Sequence, residues 1–247
     1  MKTTTPSLPQ LPDMTLADIV TGDARTAVVF ERSGLDYCCH GHQTLREAAT
    51  DRGVPLSELV DQLASLGPRP DAAGAPAATN DLAALANYVV DRHHRYVRET
   101  IPTISAWLEK LVARHSTRHA ELAAIQLAFE ELASELLSHM SKEEHLLFPY
   151  ISALAAAEKA GAPLPSSPFG TILNPIRVME EDHRDAGDHM SRIRLWSQSY
   201  DPPPDACRTY RLCYDALAHF EADLHQHVHL ENHVLFPRAI ALERALS

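Results

Sequence analysis

The sequence contains no hydrophobic run that approaches the roughly 20 apolar residues a membrane-spanning helix needs. The first residues, Met1 to Pro6, lack the apolar stretch of a secretory signal. Basic residues are also scarce, since 22 lysines and arginines stand against 33 aspartates and glutamates and leave a net charge of −11. Such a charge repels nucleic acid and acidic membranes. We therefore expect a soluble, cytoplasmic protein that binds neither nucleic acid nor a membrane.

Cysteine is sparse as well, with four in 247 residues, which argues against a disulfide framework in an intracellular chain. Cys38 and Cys39 are adjacent, and neighbouring cysteines cannot easily bond each other without backbone strain. Cys207 and Cys213 lie six residues apart and are predicted to be core residues of one helix.

Histidine, by contrast, is abundant, and its 15 residues suit the ligation of iron, zinc or copper. Two stretches, His139–Pro149 and His227–Pro237, repeat one pattern at an offset of 88 positions. Each begins with His-x-x-x-Glu, and residues four apart lie on the same face of a helix. A single pair of this kind is usually an exposed contact within a helix. Two such helices facing each other in a bundle instead present two histidines and two glutamates to one space, which favours a dinuclear metal site.

Turn and breaker residues divide the chain into three parts. Residues 1–66 are predicted to form a small N-terminal helical domain with Thr15 as an N-cap, although residues 1–12 are rich in proline and threonine and should be disordered. Residues 67–80 carry many breakers and predict a flexible linker. Residues 81–247 show long amphipathic segments with short loops, which predict an up-down-up-down four-helix bundle. The fold class is all-α.

The helical register separates the histidines of the bundle. His183 falls on the apolar stripe of its helix and should face inward. At 100° per residue, His145 and His233 lie about 120° around the helix from His139 and His227. Two more histidines lie about 160° from His227, namely His225 and His229. These four are predicted to be surface groups or supports of the ligands.

The first bundle helix leaves two candidates open. His93 and His94 are adjacent, and either can be placed on the inward stripe formed by Leu85, Val89 and Val97. Spacing alone does not choose between them.

Several segments together resemble the bacterial iron-sulfur cluster repair di-iron proteins, the ScdA and YtfE group. The resemblance covers nearly the whole chain and is carried by Leu35-Asp36-Tyr37-Cys38-Cys39, Gln43-Thr44-Leu45, Ser138-His139-Met140, Lys142-Glu143-Glu144, Val178-Met179-Glu180 with His183, and Leu230-Glu231-Asn232 with Val234 to Arg238. It implies an ScdA-type N-terminal domain followed by a hemerythrin-like domain. His40 departs from the best-known member of the family, which has glycine after its cysteine pair, and His42 replaces a basic residue of that protein.

The resemblance also implies a ligand set for two non-haem iron ions joined by an oxo or hydroxo bridge. The family's ligands fall on six positions of this sequence: His94, His139, Glu143, His183, His227 and Glu231. Arg98, Glu99 and Pro102, which follow, match the family and select His94 over His93.

Three functions are compatible with such a site. The first, implied by the resemblance, is repair of iron-sulfur clusters damaged by nitrosative or oxidative stress, with damaged iron-sulfur proteins as partners and iron as the material supplied. The second is a hemerythrin-like carrier or sensor of dioxygen or nitric oxide, and the third is an enzyme that reduces these gases. A homodimer is one option for the assembly.

Cys38 and Cys39 favour the first function, because a gas carrier needs only the bundle. They are interpreted either as a buried, inert pair or as thiolates that transfer iron or react with nitric oxide. His40 and His42 are neighbouring bases or additional ligands on the second interpretation. For iron to leave through this pair, the two domains must approach each other, and the linker is long enough to allow that.

Overall fold

The computed structural model describes residues 8–67 and 79–247, and the regular structure within these ranges is helical apart from one isolated β-bridge between Thr15 and Thr44. The prediction of an all-α chain with a helical bundle is confirmed. Of the predicted linker, residues 68–78 lie outside the described residues. Within the described ranges, we find no helix that is both long and apolar enough to cross a membrane.

Four short α-helices form the N-terminal module: α1 (Leu16–Gly22), α2 (Ala27–Ser33), α3 (Leu45–Arg52) and α4 (Leu56–Ser65). The predicted N-cap Thr15 is confirmed, because its hydroxyl oxygen accepts a hydrogen bond from the amide of Asp18 at 3.0 Å. A capping box of Thr44 and Glu47 starts α3. Gly34 ends α2 with a φ of 66°, a conformation that glycine adopts without a steric cost.

The predicted disorder of residues 1–12 is wrong for the part that the structure describes. Leu8–Asp13 forms a 3-10 helix that contacts α3 and α4. Leu11 is buried in the hydrophobic core, so apolar burial orders a segment whose composition is typical of a disordered tail. The second predicted helix also begins later than expected, because a 3-10 turn, Ala24–Thr26, precedes α2.

Four long bundle helices follow, close to the predicted limits. The first joins α5 (Leu82–Val89), a π-helical turn (Val90–His94) and α6 (Arg95–His115). The second joins α7 (Glu121–Lys142), a π-helical turn (Glu143–Leu147) and α8 (Phe148–Ala160). The third is α9 (Leu173–Trp196). The fourth joins α10 (Arg208–Leu230), a π-helical turn (Glu231–Leu235) and α11 (Phe236–Leu246).

The contacts between these helices show which of them are neighbours and in which direction the first two run. The α6 segment packs on α7 while α5 packs on α8, so the first two bundle helices run antiparallel. The α10 segment packs on α6, and α7 packs on α9. Two separate hydrophobic clusters result, one of which contains Met140 and Val228 and the other Val89 and Leu235. On each bundle helix, buried histidines or glutamates lie near the point where the helix passes from one cluster to the other.

The N-terminal module packs directly against the bundle. Phe30 and Leu45 of the module share one hydrophobic cluster with Leu224 of α10. Polar contacts support this packing, since Nδ1 of His225 lies 2.8 Å from Oε1 of Glu31. The two domains therefore already touch, and the expected approach across the linker is not required.

Gly41 lies where the module and the fourth bundle helix come closest. A Cβ atom at this position would meet Nε2 of His233 at 2.6 Å and would lie even closer to the carbonyl oxygen of Tyr37. We expect Gly41→Ala to lower the free energy of unfolding by about 1–3 kcal/mol, the usual cost of overpacking a tight site. Chemical denaturation measures this change.

Gly22→Ala is the matched control, because a Cβ there meets nothing within 4 Å. It should leave the free energy of unfolding unchanged or raise it by up to about 1 kcal/mol. Equal destabilisation by the two substitutions would contradict close packing at Gly41.

Candidate metal centre

The six predicted ligand positions come together in the middle of the bundle. They form two overlapping groups, His94, Glu143, His227, Glu231 and His139, Glu143, His183, Glu231. Within each group the nearest nitrogen and oxygen atoms all lie within 4.8 Å of one another, and every member is buried. Glu143 and Glu231 belong to both groups, so each carboxylate lies between two pairs of imidazoles. We call these six residues the cage.

Each bundle helix contributes to the cage, and three of them do so at a π-helical turn. His94 is the last residue of the first turn, whereas Glu143 and Glu231 are the first residues of the other two. A π-helical turn adds one residue to the helical repeat and redirects the side chains around it, and such turns are frequent at functional sites. In α9, which supplies His183, the described helix is α-helical throughout.

The imidazoles of the cage face each other across short distances. Nε2 of His94 lies 3.1 Å from Nε2 of His227, and Nε2 of His139 lies 3.0 Å from Nε2 of His183. The carboxylates reach both pairs. Oε2 of Glu143 lies 3.3 Å from Nε2 of both His94 and His139. Four nitrogens and two carboxylates thus converge on one small volume, as a dinuclear metal site requires.

Several cage atoms have no hydrogen-bond partner among the described residues. Both carboxylate oxygens of Glu143, one of Glu231 and Nδ1 of His227 are in this position. The contacts of Glu143 with the imidazoles are close, yet they lack hydrogen-bond geometry. A buried carboxylate with unsatisfied oxygens costs several kcal/mol unless it is paired or coordinates a metal. The donor set and its unsatisfied atoms therefore fit metal cations.

The electrostatics of the cage favour positive charge on two of its imidazoles, those of His94 and His139, whereas burial lowers the pKa of His227. Burial alone lowers the pKa of His94, but the close carboxylates of Glu143 and Glu231 outweigh it and raise the pKa to about 9. Burial and the charge of Glu143 act likewise at His139, whose pKa rises to about 10. The pKa of Glu231 lies well below its ordinary value, because its contacts with imidazoles outweigh its burial. The two carboxylates thus attract a cation to the imidazole nitrogens.

In three of the four cage histidines, Nδ1 on the side of the ring away from the cage contacts a polar side chain. Nδ1 of His94 donates to Oε1 of Glu144 at 2.7 Å, and Nδ1 of His183 donates to Oδ1 of Asn232 at 2.9 Å. Nδ1 of His139 lies 3.2 Å from Oδ2 of Asp182. A proton fixed on Nδ1 leaves Nε2 available to bind a metal and orients the ring.

The fourth histidine is held by packing. His227 stacks on His93, with the ring centroids 5.5 Å apart and the planes 7° from parallel. Nδ1 of His93 in turn lies 3.1 Å from Oδ2 of Asp223. Of the two candidates on the first helix, His94 enters the cage, whereas His93 supports it.

We expect Glu144→Gln to weaken metal binding by roughly 10–100-fold, the usual effect of losing a carboxylate behind a metal-binding histidine. The residue pairs with Nδ1 of His94 and is itself only half-buried, so the fold should tolerate the change. Competition with a chelator measures the affinity. Glu181→Gln on the exposed side of α9 is the control. Equal losses in both variants would mean that Glu144 does not act through His94.

The four histidines that the helical register placed away from the cage do lie outside it, but three of them contact the N-terminal module instead of facing solvent. His145 is exposed. His225 forms a hydrogen bond with Glu31, and Nε2 of His229 lies 3.2 Å from Oγ1 of Thr21. Nε2 of His233 donates to the carbonyl oxygen of Cys38 at 2.8 Å. The fourth bundle helix therefore presents a row of histidines to the N-terminal module.

The cysteine pair lies beside the cage at this interface. Cys38 is buried and Cys39 is half-buried, and their sulfur atoms are 3.7 Å apart. The contact with Cys39, burial and the charge of Asp36 together raise the pKa of the Cys38 thiol. The thiol of Cys39 points to the carbonyl oxygen of His183 at 3.8 Å. Asn232, which holds His183, also donates to the carbonyl oxygen of Cys38 at 3.4 Å.

A cavity of about 850 Å³ opens next to the pair, between the module and the third and fourth bundle helices. Its lining includes both cysteines, Asp36, His40 and Arg184. His40 is exposed and its Nδ1 lies 2.7 Å from Oδ2 of Asp36, so it pairs with that carboxylate, whereas His42 lies outside the lining.

Sequence reasoning placed Cys207 and Cys213 together in the core, and this is wrong for Cys207. Cys213 is fully buried, but Cys207 is exposed at the N-cap of α10. Sequence reasoning also missed the supporting roles of Glu144, Asp182 and Asn232. Glu144 and Asn232 each follow a cage glutamate directly in the repeated motif. Their equivalent positions could have indicated that both support the cage.

A helical bundle with a buried cage of histidines and glutamates defines a hemerythrin-like, metal-binding class of protein. Residues 85–239 match the family model of the hemerythrin HHE cation binding domain, and residues 12–67 match the ScdA N-terminal domain, described as a domain of unknown function.

Relatives match over nearly the full chain. The chain is 34% identical to the iron-sulfur cluster repair protein YtfE of Musicola paradisiaca, over 92% of this chain and 96% of the relative. It is 31% identical to the iron-sulfur cluster repair protein ScdA of Staphylococcus haemolyticus, over 90% and 95%. A YtfE protein of Salmonella choleraesuis is 33% identical, over 94% and 98%. The chain belongs to the family of iron-sulfur cluster repair proteins.

Proposed function

We propose that this protein repairs iron-sulfur clusters damaged by nitrosative or oxidative stress, and that it does so by supplying iron. The observation that carries the proposal is the buried pair of glutamates, shared by two groups of imidazoles and left with unsatisfied oxygens. The names of the relatives support repair over a gas carrier or a gas reductase. Damaged iron-sulfur proteins are the proposed recipients.

The six cage residues are the proposed ligands of two iron ions. Glu143 and Glu231 would bridge the ions, with His94 and His227 on one side and His139 and His183 on the other. When bound, a di-iron centre held by these residues, with an oxo or hydroxo group as a further proposed ligand, would supply redox-active iron able to bind nitric oxide or dioxygen. Glu144, Asp182 and Asn232 hold the imidazoles in place and keep Nε2 directed inward.

The N-terminal module has its own proposed part. Residues 1–66, 67–80 and 81–247 are proposed as module, linker and bundle. Cys38 and Cys39 are proposed to pass iron from the bundle to the recipient, which their place at the interface and beside the cavity supports. Hydrogen bonds from Asn232 and His233 keep the Cys38 backbone against the cage.

We expect about two iron ions per chain in protein purified from cells grown in iron-rich medium. Metal analysis of the full-length protein measures this number, and an absorption spectrum reports the ligand environment. One zinc ion per chain, with no iron, would contradict the proposed centre.

A further inference from the structure

A third group of metal-ligating side chains lies outside the cage, at the cavity between the module and the bundle. Asp36, Cys38 and Cys39 place a carboxylate oxygen and two sulfurs within 4.8 Å of one another. The sulfur of Cys38 lies 3.2 Å from Oδ1 of Asp36 and 3.7 Å from the sulfur of Cys39. None of these residues belongs to the cage.

The distances match those of one tetrahedral ion. With metal–sulfur bonds of about 2.3 Å, two thiolates on a tetrahedral centre lie about 3.8 Å apart. The sulfurs of Cys38 and Cys39 already have this separation. They do not need to converge further, as they would to form a disulfide, whose bond is about 2.0 Å long.

The backbone around the pair is held in this arrangement by the rest of the fold. Oδ1 of Asp36 accepts hydrogen bonds from the amides of Cys38 at 3.1 Å and Cys39 at 2.8 Å. From the other side, His233 and Asn232 donate to the carbonyl oxygen of Cys38. Ligands fixed by neighbouring groups bind a metal without a large cost of reorganisation.

We propose that Asp36, Cys38 and Cys39 form a second metal site, which takes a thiophilic divalent cation such as Fe²⁺ and leaves its fourth position facing the cavity. The site rests on the proposed function, since it would receive iron between the cage and the recipient. Binding breaks two S–H bonds, forms two metal–sulfur bonds and releases two protons to solvent. No electron is transferred in this step.

The site lies where iron could pass from the cage to a recipient protein. Cys39 contacts the carbonyl oxygen of His183, a cage residue, and also lines the cavity of about 850 Å³. One divalent cation with two thiolates and a carboxylate carries a formal charge of −1. Arg52 and Arg184 line the same cavity, together with the carboxylate of Asp188. The fourth position is thus accessible to a ligand from a recipient protein.

The test uses full-length protein loaded with iron and titrated anaerobically with Co²⁺. Cobalt bound by thiolates gives a sulfur-to-metal charge-transfer absorption, which the nitrogen and oxygen ligands of the cage cannot produce. We expect about one equivalent of Co²⁺ per chain to give this absorption. It should disappear in Cys38→Ser/Cys39→Ser and persist in the matched variant Cys207→Ser/Cys213→Ala, which retains only the pair.

Asp36→Asn separates ligation from a purely structural role. Asparagine keeps an Oδ1 that accepts the two amide hydrogen bonds, but it removes the negative charge. We expect the Co²⁺ affinity to fall by at least about tenfold while the helical circular dichroism is unchanged. In the unaltered protein, Co²⁺ should also slow alkylation of Cys39 by iodoacetamide, which provides a readout that needs no variant.

The proposal is overturned if the charge-transfer absorption is absent from the unaltered protein or persists in Cys38→Ser/Cys39→Ser. Iron analysis of the same samples reports on the cage independently. Bound iron without the cobalt signal would remove the second site and leave the proposed function standing, whereas a sample that cannot be loaded with iron would contradict the proposed function itself.

Discussion

Glu143→Ala and Glu231→Ala should each abolish most iron binding. Both carboxylates are fully buried and both belong to the two groups of the cage, so one substitution would remove a proposed ligand from each of the two proposed ions. The loss should exceed the roughly 10–100-fold effect of a residue that only supports a ligand. Iron content after purification and resistance to a chelator measure the effect.

His145→Ala is the matched control for these variants. His145 is exposed, lies two residues from Glu143 in sequence and points away from the cage. Its loss should leave the iron content unchanged. Equal iron loss in Glu143→Ala and His145→Ala would show that the six-residue cage is not the metal site, whatever the distances between its members.

A Cys38→Ser/Cys39→Ser protein should keep its iron but restore a damaged iron-sulfur enzyme poorly. Neither cysteine is among the six cage residues, so the bundle site should load normally. The thiols nevertheless lie between His183 and the cavity, where transfer to another protein would take place. Recovery of an aconitase-type enzyme after treatment with nitric oxide, at matched iron content, measures the loss.

Cys207→Ser/Cys213→Ala is again the control, because it removes the two cysteines that lie away from the cage. This variant should repair as well as the unaltered protein. Full recovery with Cys38→Ser/Cys39→Ser would remove the pair from the mechanism and leave the bundle as the part that acts.

Much of the cage could be predicted from helical periodicity. His139 with Glu143 and His227 with Glu231 stand four residues apart, so any α-helix places each pair on one face. The structure confirms this for the second pair, in which Nε2 of His227 lies 3.0 Å from Oε1 of Glu231. These pairs lie at the start of the π-helical turns, before the added residue can change their phase.

The choice between His93 and His94 could not be made from periodicity. Both residues belong to a π-helical turn, where 100° per residue no longer describes the direction of a side chain. Both are buried, so neither falls on a polar face that would have excluded it. The resemblance to a known family, rather than the pattern of the residues, selected His94.

The packing of the N-terminal module against the bundle could not be predicted from the sequence either. His225, His229 and His233 were expected at the surface or as supports because they face away from the cage, and histidine is equally suited to solvent and to a polar interface. Glu31, Thr21 and the Cys38 carbonyl, which pair with them, lie far away in the chain. Only the tertiary structure brings these partners together.

The burial of the cage also determines how fast a metal ion in it can exchange with solvent. No cage side chain is more than 2% exposed, so an ion can enter or leave only while the fold is locally open. The observed rate is then the fraction of open molecules multiplied by the rate from the open state, and each 1.4 kcal/mol of opening free energy slows exchange about tenfold. Hydrogen bonds from Asn232 and His233 to the carbonyl oxygen of Cys38 hold Asp36–Cys39 against the bundle, so this contact is one place where such an opening can begin. Variants that loosen this contact should shorten the residence time without altering a single ligand.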